Sequence, residues 1–598
     1  MKTPESFQQE IECGIWRLAL GSLIRLAVSF GRASVVLPAL PGSFDAYNQA
    51  VVITFFSIHF RQASRAILGV AVGVAMVLGA AAGAQSPAAA GNAADSHGRI
   101  LLVLPFDNRT GQPSLDWIRE AAPGILSSRL TSAGFAPMSR ADRLYALDHL
   151  GLPQGFNPSR ASSLKLAQTL DADSIVVGSY IMDGTEIVAE ARLVDVPHLR
   201  MGEPVTARGD MRQLISVFNS LAWKLTRQLD PKFSIAEETF VAAGAGLRVD
   251  AFEQYIRGIT EPDQAERLRH LKEAAVLNPD ISQAWMALGR EYYGGEQYED
   301  ASAAFAKVTH DDPDALEAGF YRGLSLLFSG EYAQAEGSFG GVARVLPLAE
   351  VVNNQGVAVS RQGRDGSPLF RQAVAADPTA ADFHFNLAVS LKRHGSAAEA
   401  STELSQCLRL RPNDTEALEL EKSWKEPAGQ QGGGTDSEPK ADPLERIARS
   451  FDAVAFRQAA LMLDQVDASR LAALTPQKRA QKLSTQAKDY LDRGLLLEAE
   501  RLYLAAVTAD GKAPEAHAGL AEVREKTGDF AAARKEAVTS LQLMPSLQAY
   551  LVMGRLDLAD GRMTQAVYDA GEALKLDPAS HAAQDLHKEI EARQGQKK

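Results

Sequence analysis

The sequence predicts a mainly α protein: two arrays of stacked helical pairs wound into a superhelix, preceded by a small α+β domain. Three observations carry this. Prolines close successive segments at Pro279, Pro313, Pro347, Pro378 and Pro412, which are 34, 34, 31 and 34 residues apart. A second series runs through Gly511, standing in for a proline, then Pro545 and Pro578, at intervals of 34 and 33. Ahead of both, Ile100–Leu104, Ser174–Ile181 and Glu186–Val194 are short apolar or alternating runs bounded by turn residues, as strands are.

Each period also carries a fixed internal pattern. Read from Trp285 it is Trp285, Leu288, Gly289, Tyr292, Ala301, Phe305, Val308, Pro313. Leu288, Gly289 and Tyr292 fall within about one helical turn and so share a face. A small residue (Gly289, Gly323, Gly356, Ala388, Ala487, Ala521, Gly554) lets a second helix approach closely, and Ala301, Ala335, Ala400, Ala499, Ala533 and Ala566 answer it from that helix. Bulky knobs at Phe305, Phe339, Phe370, Leu404 and Tyr503 fill the space between. A glycine near the turn (Gly295, Gly330, Gly363, Gly395, Gly494, Gly528, Gly561) supplies the left-handed backbone that stops the first helix. The closing proline prevents the second from running on. Seven segments follow this pattern and resemble the tetratricopeptide (TPR) repeat. The resemblance implies helical pairs that cannot bury their apolar faces alone and therefore stack.

The expected organisation follows. The amino-terminal array spans about 250–424 and the carboxy-terminal array 481–590. Between them 425–443, with Gly432-Gly433-Gly434 and scattered Pro, Ser and Asp, reads as a linker. Residues 444–480 are expected to be helical, as a cap or bridge, from apolar positions at Ile447, Phe451, Val454, Phe456 and Leu461.

Residues 99–230 form the predicted α+β domain. After the first strand, Trp117, Ile118, Ala121, Ile125 and Leu130 recur at helical spacing and Gly134 ends that helix. Ala161–Leu170 reads as a helix, Asp183-Gly184 as a hairpin turn, Val205 as the start of a third strand and Leu214–Leu229 as a closing helix. The stretches Leu102-Val103-Leu104-Pro105-Phe106-Asp107-Asn108 and Ala172-Asp173-Ser174-Ile175-Val176-Val177-Gly178-Ser179-Tyr180 resemble the TolB amino-terminal and curli-secretion (CsgG-like) modules. That resemblance implies a protein-assembly role without a catalytic centre. Asp107 and Asn108 then serve a contact or an Asx-type turn.

The amino terminus suggests export. Arg61 and Arg65 precede nineteen uncharged residues, Ala66–Ala84, that end Ala82-Gly83-Ala84 before Gln85. A basic start, an apolar core and an A-x-A end describe a secretory signal peptide over 61–84 and a periplasmic destination. The competing reading is an inner-membrane anchor over 66–84. Residues 1–60 are a doubtful extension, with a translation start near Val51 or Val52 as the working expectation, and 85–98 reads as a flexible spacer.

Composition narrows function. A net charge of −12 over 598 residues, with no basic stripe, argues against a nucleic-acid surface. Two cysteines, Cys13 and Cys407, exclude a disulfide framework, and Cys407 occupies a small packed position in its repeat. No phosphate-binding, nucleophile-elbow or metal-ligand motif occurs, so no catalytic, metal or cofactor residue is assigned. His384, His394 and His517 fall at packing or turn positions, and the acidic run His310-Asp311-Asp312-Pro313-Asp314 at an inter-repeat turn suits helix capping.

What remains is the groove lined by the first helix of each repeat. The TPR resemblance implies partner-binding candidates at Met286, Arg290, Tyr293, Phe320, Leu324, Leu327, Asn354, Arg361, Asn386 and Arg393. Asn354 and Asn386 stand where some TPR domains clamp a peptide carboxylate, with Arg361 and Arg393 a turn beyond. The expected function is a non-enzymatic envelope scaffold that binds protein or peptide partners. The alternatives are an outer-membrane assembly or secretion accessory, and an enzyme with an unrecognised site in 99–230.

Overall fold

A computed structural model describes residues 100–595 apart from 154, 156–158, 244–245, 311, 313, 426–443 and 452–465. The expected signal peptide, spacer and glycine-rich linker lie outside the described residues. Strands β1 (Ile100–Val103), β2 (Asp107–Asn108), β3 (Ala136–Pro137), β4 (Ser174–Asp183), β5 (Glu186–Asp195), β6 (Arg200–Met201) and β7 (Val205–Asp210) form one mixed sheet. β1 pairs in parallel with β3 and β4, whereas β4 and β5 form an antiparallel hairpin. The Asp183↔Glu186 register makes Gly184-Thr185 the loop, one residue later than expected, with Gly184 at φ +64.

Alternation along β1 sets the layers. Leu101 and Val103 face one side, against α1 (Ile118–Ser132), while Leu102 and Leu104 face the other, against α2 (Arg140–His149) and α3 (Arg160–Thr169). Helix α2 was not legible from the pattern. It is nucleated by a capping box, in which the Ser139 hydroxyl and the Asp142 side chain each accept from the other's backbone N–H. α4 (Leu214–Leu229) joins α1, and α5 (Glu237–Ala242) packs on it.

The two sequence stretches singled out in this region meet. Gly178 is required because a Cβ there would stand 2.3 Å from the Phe106 ring and 2.7 Å from the Glu190 carbonyl. The Tyr180 hydroxyl donates to the Leu115 carbonyl at 2.8 Å. The Asn108 side-chain oxygen accepts from the Thr110 N–H at 2.9 Å, which is the expected Asx turn.

The helical pairs follow. They are α6 (Val249–Thr260) with α7 (Gln264–Leu277), α8 (Ser282–Gly294) with α9 (Tyr298–Phe305), α10 (Ala315–Phe328) with α11 (Tyr332–Val345), α12 (Ala349–Arg361) with α13 (Ser367–Ala376), and α14 (Ala381–Arg393) with α15 (Ala397–Leu410). α16 (Thr415–Lys425) packs on the last pair. The second array comprises α17 (Pro476–Asp492) with α18 (Leu496–Ala509), α19 (Pro514–Thr527) with α20 (Phe530–Leu543), α21 (Leu547–Ala559) with α22 (Met563–Leu576), and α23 (His581–Gly595). The close approach within a pair is a ring seated on a glycine. A Cβ at Gly289, Gly323 or Gly356 would lie 2.5, 2.6 or 2.8 Å from the rings of Phe305, Phe339 and Phe370.

Six of the seven expected turn glycines adopt positive φ, between +73 and +90. Gly295 does not. Its φ is −86, and the left-handed residue is Glu296 at φ +59, because the helix end is displaced by one position. Cys407 is fully buried, and burial pushes its thiol pKa up to about 11.

Two departures concern the region after the linker. Residues 444–451, expected to be helical, have no regular secondary structure, while 466–472 and α17 are helical. The second array also does not stand apart. Leu497 is buried in the same core as the α+β region, and the Thr239 hydroxyl on α5 donates to the fully buried Glu500 carboxylate on α18. Arg524 Nε lies 3.4 Å from Glu500. Burial raises the Glu500 pKa, opposed by Thr239 and Arg524.

Two repeats carry the same polar pair. His384 Nδ1 lies 2.6 Å from Glu403 and its Nε2 3.1 Å from the Pro378 carbonyl. His517 lies 2.6 Å from Glu536 and 3.2 Å from the Gly511 carbonyl. Both ring nitrogens face acceptors, which favours the doubly protonated imidazolium.

Two predictions follow from this packing. Gly289→Leu drives a side chain into the Phe305 ring and should cost about 1–3 kcal/mol in denaturant unfolding. The second concerns pH. The His517 pKa is raised, first by the hydrogen bond to Glu536, above an unfolded value of about 6.5. Its stabilisation is therefore fully present below about pH 6.5 and lost as pH rises through the folded pKa. The gap in melting temperature between the wild type and His517→Gln should shrink from pH 6 to pH 9; a constant gap would contradict the charged pair.

Candidate functional site

The first helices α10, α12, α14 and α16 present one continuous face, and residues 444–451 lie along it in extended form. The contact begins with the main chain. Asn386 on α14 donates to the Arg446 carbonyl at 2.7 Å and accepts from the Arg446 N–H at 2.6 Å. Asn354 on α12 does the same for Ala448, at 2.8 and 2.9 Å. Arg446 and Ala448 are two apart, so an extended chain turns both to the same side. Asn353 braces the pair, donating to the Arg446 carbonyl at 3.2 Å and accepting from Asn386 at 2.8 Å. All three asparagines are fully buried, and their side chains take the place of the backbone ladder that helix formation would have provided. This is why 444–451 is extended despite its helical periodicity.

Side chains add two charge sites of opposite sign. The Glu445 carboxylate is fully buried between Arg361 and Arg393 and accepts from the Ser360 hydroxyl. Arg361 Nε is 3.3 Å from Glu445, and its Nη2 donates to the Glu445 carbonyl at 3.2 Å. A carboxylate so placed requires paired cations, since an unpaired buried charge costs several kcal/mol or more. The Arg446 guanidinium faces the reverse environment. It meets Asp382 at 2.8 Å, Asp414 at 2.7 Å and Glu416 at 2.9 Å, and stacks over the Phe385 ring at 3.8 Å. Burial pulls the Arg446 pKa down, but these carboxylates outweigh it and the net shift is upward. Its hydrogen bonds in turn hold the Asp414 carboxyl below the usual range.

The amino-terminal half of the groove is aromatic. Phe451 rests on Phe320 with centroids 5.4 Å apart, and Ile447 joins the same cluster. Arg449 lies over the Phe328 ring at 5.1 Å, at a cavity of about 440 Å³ lined also by Tyr293, Tyr298 and Tyr321. Burial pushes the Tyr293 hydroxyl pKa up to about 12.

The structure divides the residues proposed from sequence. Asn354, Arg361, Asn386 and Arg393 converge on 445–448. The asparagines hold main chain, however, and the arginines hold an internal glutamate rather than a chain terminus. Tyr293 lines the aromatic cavity, and Arg290 pairs with Glu317 at 2.8 Å. Met286, Phe320, Leu324 and Leu327 are at most 5% exposed; Met286 packs among the repeat helices, and Phe320, Leu324 and Leu327 belong to the cluster that Ile447 and Phe451 join. Phe320 closes the core against Phe339 and carries Phe451.

Sequence reasoning missed Asn353, Ser360, Phe385, Asp382, Asp414 and Glu416, and missed the occupant itself. The available signal was charge order: Glu445-Arg446 complements the Arg361/Arg393 and Asp382/Asp414 pairs. Among the described residues no cluster of His, Cys, Asp or Glu could hold a metal, and no helix is long and apolar enough to cross a membrane.

Residues 286–344, 358–414 and 484–545 match the family described as tetratricopeptide repeat. The repeats are tetratricopeptide repeats. No curated protein matches the chain. Solved structures similar to parts of it include YrrB, described as a TPR protein with an unusual peptide-binding site, which is 16% identical, covers 34% of this chain and 99% of that one, and gives a TM-score of 0.26. A MamA fragment from Desulfovibrio magneticus RS-1 is 20% identical and covers 30% of this chain and 100% of its own, at TM-score 0.25. The LpoB carboxy-terminal domain from Salmonella enterica is 18% identical and covers 19% of this chain and 84% of its own, at TM-score 0.17.

The asparagine contacts predict a protease phenotype. Arg446 and Arg449 are trypsin sites held in the TPR groove. Each lost bidentate pair costs about 1–3 kcal/mol, so Asn354→Ala/Asn386→Ala should raise the released population at least ~10-fold. Cleavage after Arg446 or Arg449, followed by fragment mass, should accelerate by a similar factor. An unchanged rate would mean the asparagines do not hold the segment.

Proposed function

We propose that this protein is a non-enzymatic scaffold that binds protein partners as extended peptides along the inner face of the first TPR array. One observation carries the reading: buried asparagines on successive repeats grip main-chain amides two residues apart, a contact that suits an extended ligand of varied sequence. Charged and aromatic sites beside them supply selectivity.

The setting we propose is the bacterial envelope. The Arg61–Ala84 pattern supports export, with cleavage before Gln85 preferred to anchoring by 66–84. The Pro105-Phe106 and Gly178-Ser179-Tyr180 stretches of the α+β region support a TolB-like or CsgG-like assembly module. On that ground an outer-membrane assembly or secretion accessory is the second reading, in which this region docks while the repeats recruit clients.

The test is capture from an envelope fraction using the chain from Gln85 with residues 444–451 replaced by Gly and Ser, so that the groove is open, with and without Asn354→Ala/Asn386→Ala/Arg393→Ala. Losing an anchoring contact costs about 2 kcal/mol, roughly thirtyfold in affinity. Recovered partners should fall accordingly, with thermal melts showing the variant folded. Undiminished capture by the folded variant would move the binding surface to the convex face, the second array or the α+β region.

A further inference from the structure

The groove that suits an extended peptide is already filled by the chain itself, so the occupant records what the groove accepts. Its glutamate enters a site built from Arg361, Arg393 and Ser360. The next residue, an arginine, enters a site built from Asp382, Asp414 and Glu416 over the Phe385 ring. Three residues after the glutamate Asn354 reads the main chain, and the small Ala448 side chain packs against the Val352, Ala373 and Phe383 cluster. Four after it, an arginine lies over Phe328 at the aromatic cavity, and six after it a phenylalanine rests on Phe320. The two charge sites are adjacent and opposite in sign, so exchanging the glutamate and arginine would set like charges together at both. Sequence order is therefore read, not only composition.

We infer that the partner of the first array carries a Glu-Arg pair with an aromatic residue six positions after the glutamate, and that residues 444–451 are an internal copy of this ligand which the partner displaces. The inference rests on the scaffold reading above and specifies the ligand. Tethering sets the competition. The internal copy follows the groove's last helix by 18 residues (426–443), whose composition is that of a linker. Short tethers give effective concentrations on the order of millimolar. If the free peptide binds an empty groove with a Kd of about 10 μM, the internal copy weakens its apparent binding roughly a hundredfold.

The probe is a labelled synthetic peptide of sequence Leu-Glu-Arg-Ile-Ala-Arg-Ser-Phe, titrated by fluorescence anisotropy. It is added to the full chain and to the full chain with 444–451 replaced by an equal length of Gly and Ser. The peptide should bind the emptied chain at least tenfold more tightly than the wild type. It should lose at least tenfold when its Glu and Arg are exchanged, and bind poorly once Arg393→Ala is added. Equal affinity for both chains, no binding to an emptied chain that still melts cooperatively, or indifference to the exchange would each overturn the proposal. A measurement on the unaltered protein covers the case in which the emptied chain fails to fold. Excess peptide should accelerate hydrogen exchange at the Arg446 and Ala448 amides, and unaltered exchange at saturating peptide would also overturn it. If the peptide fails while capture still depends on Asn354 and Asn386, the ligand specification is wrong and the scaffold reading stands.

Discussion

The aromatic ring seated on a glycine sets the geometry on which the groove depends. Phe305 on Gly289, Phe339 on Gly323 and Phe370 on Gly356 hold the two helices of a pair closer than a methyl group would allow. The spacing within each pair fixes where the next first helix lies. Asn354 and Asn386 reach alternate residues of one extended chain only because α12 and α14 keep that spacing. A repeat-wide packing rule thus becomes a ruler for a ligand's main chain.

The groove balances its charges locally rather than globally. The protein is acidic overall, yet Arg361 and Arg393 make a positive site one residue away from a negative one. Glu445 and Asp414 are withdrawn from water, whereas Asp382 and Glu416 remain 40% and 51% exposed, so salt screens the negative site more than the positive one. Arg411 shares Asp382 and Asp414 with Arg446, which keeps those carboxylates partnered on the repeat side as well.

Repeat architecture was legible because its causes are local. Glycine, alanine and phenylalanine at fixed intervals encode helix approach directly, and the closing prolines encode helix ends. Strands β4 and β5 were legible for the same reason, through alternation and a Gly-bearing turn. Two turns fall one residue from their expected place, Gly295 for Glu296 at a helix end and Asp183-Gly184 for Gly184-Thr185 in the hairpin, a shift that sequence patterns do not resolve. The extended state of 444–451 was not legible. Apolar residues at Ile447 and Phe451 fit a helix equally well, and the deciding hydrogen bonds come from Asn353, Asn354 and Asn386, about 60 to 94 positions earlier. The seat of the second array on α5 was hidden likewise, since Thr239 and Glu500 are separated by 261 positions.

That second seat has a consequence in loop entropy. Counted along the sequence, 14 residues (452–465) separate Phe451 from the described helical residues 466–472, and 40 residues (426–465) separate them from Lys425. From length alone, lengthening the closure by that ratio costs no more than (3/2)RT times its logarithm, about 1 kcal/mol. A buried cluster that includes Leu497 and the Thr239–Glu500 bond outweighs that. The groove can therefore empty while the second array keeps its place on the α+β region, and occupancy and assembly remain thermodynamically separate events.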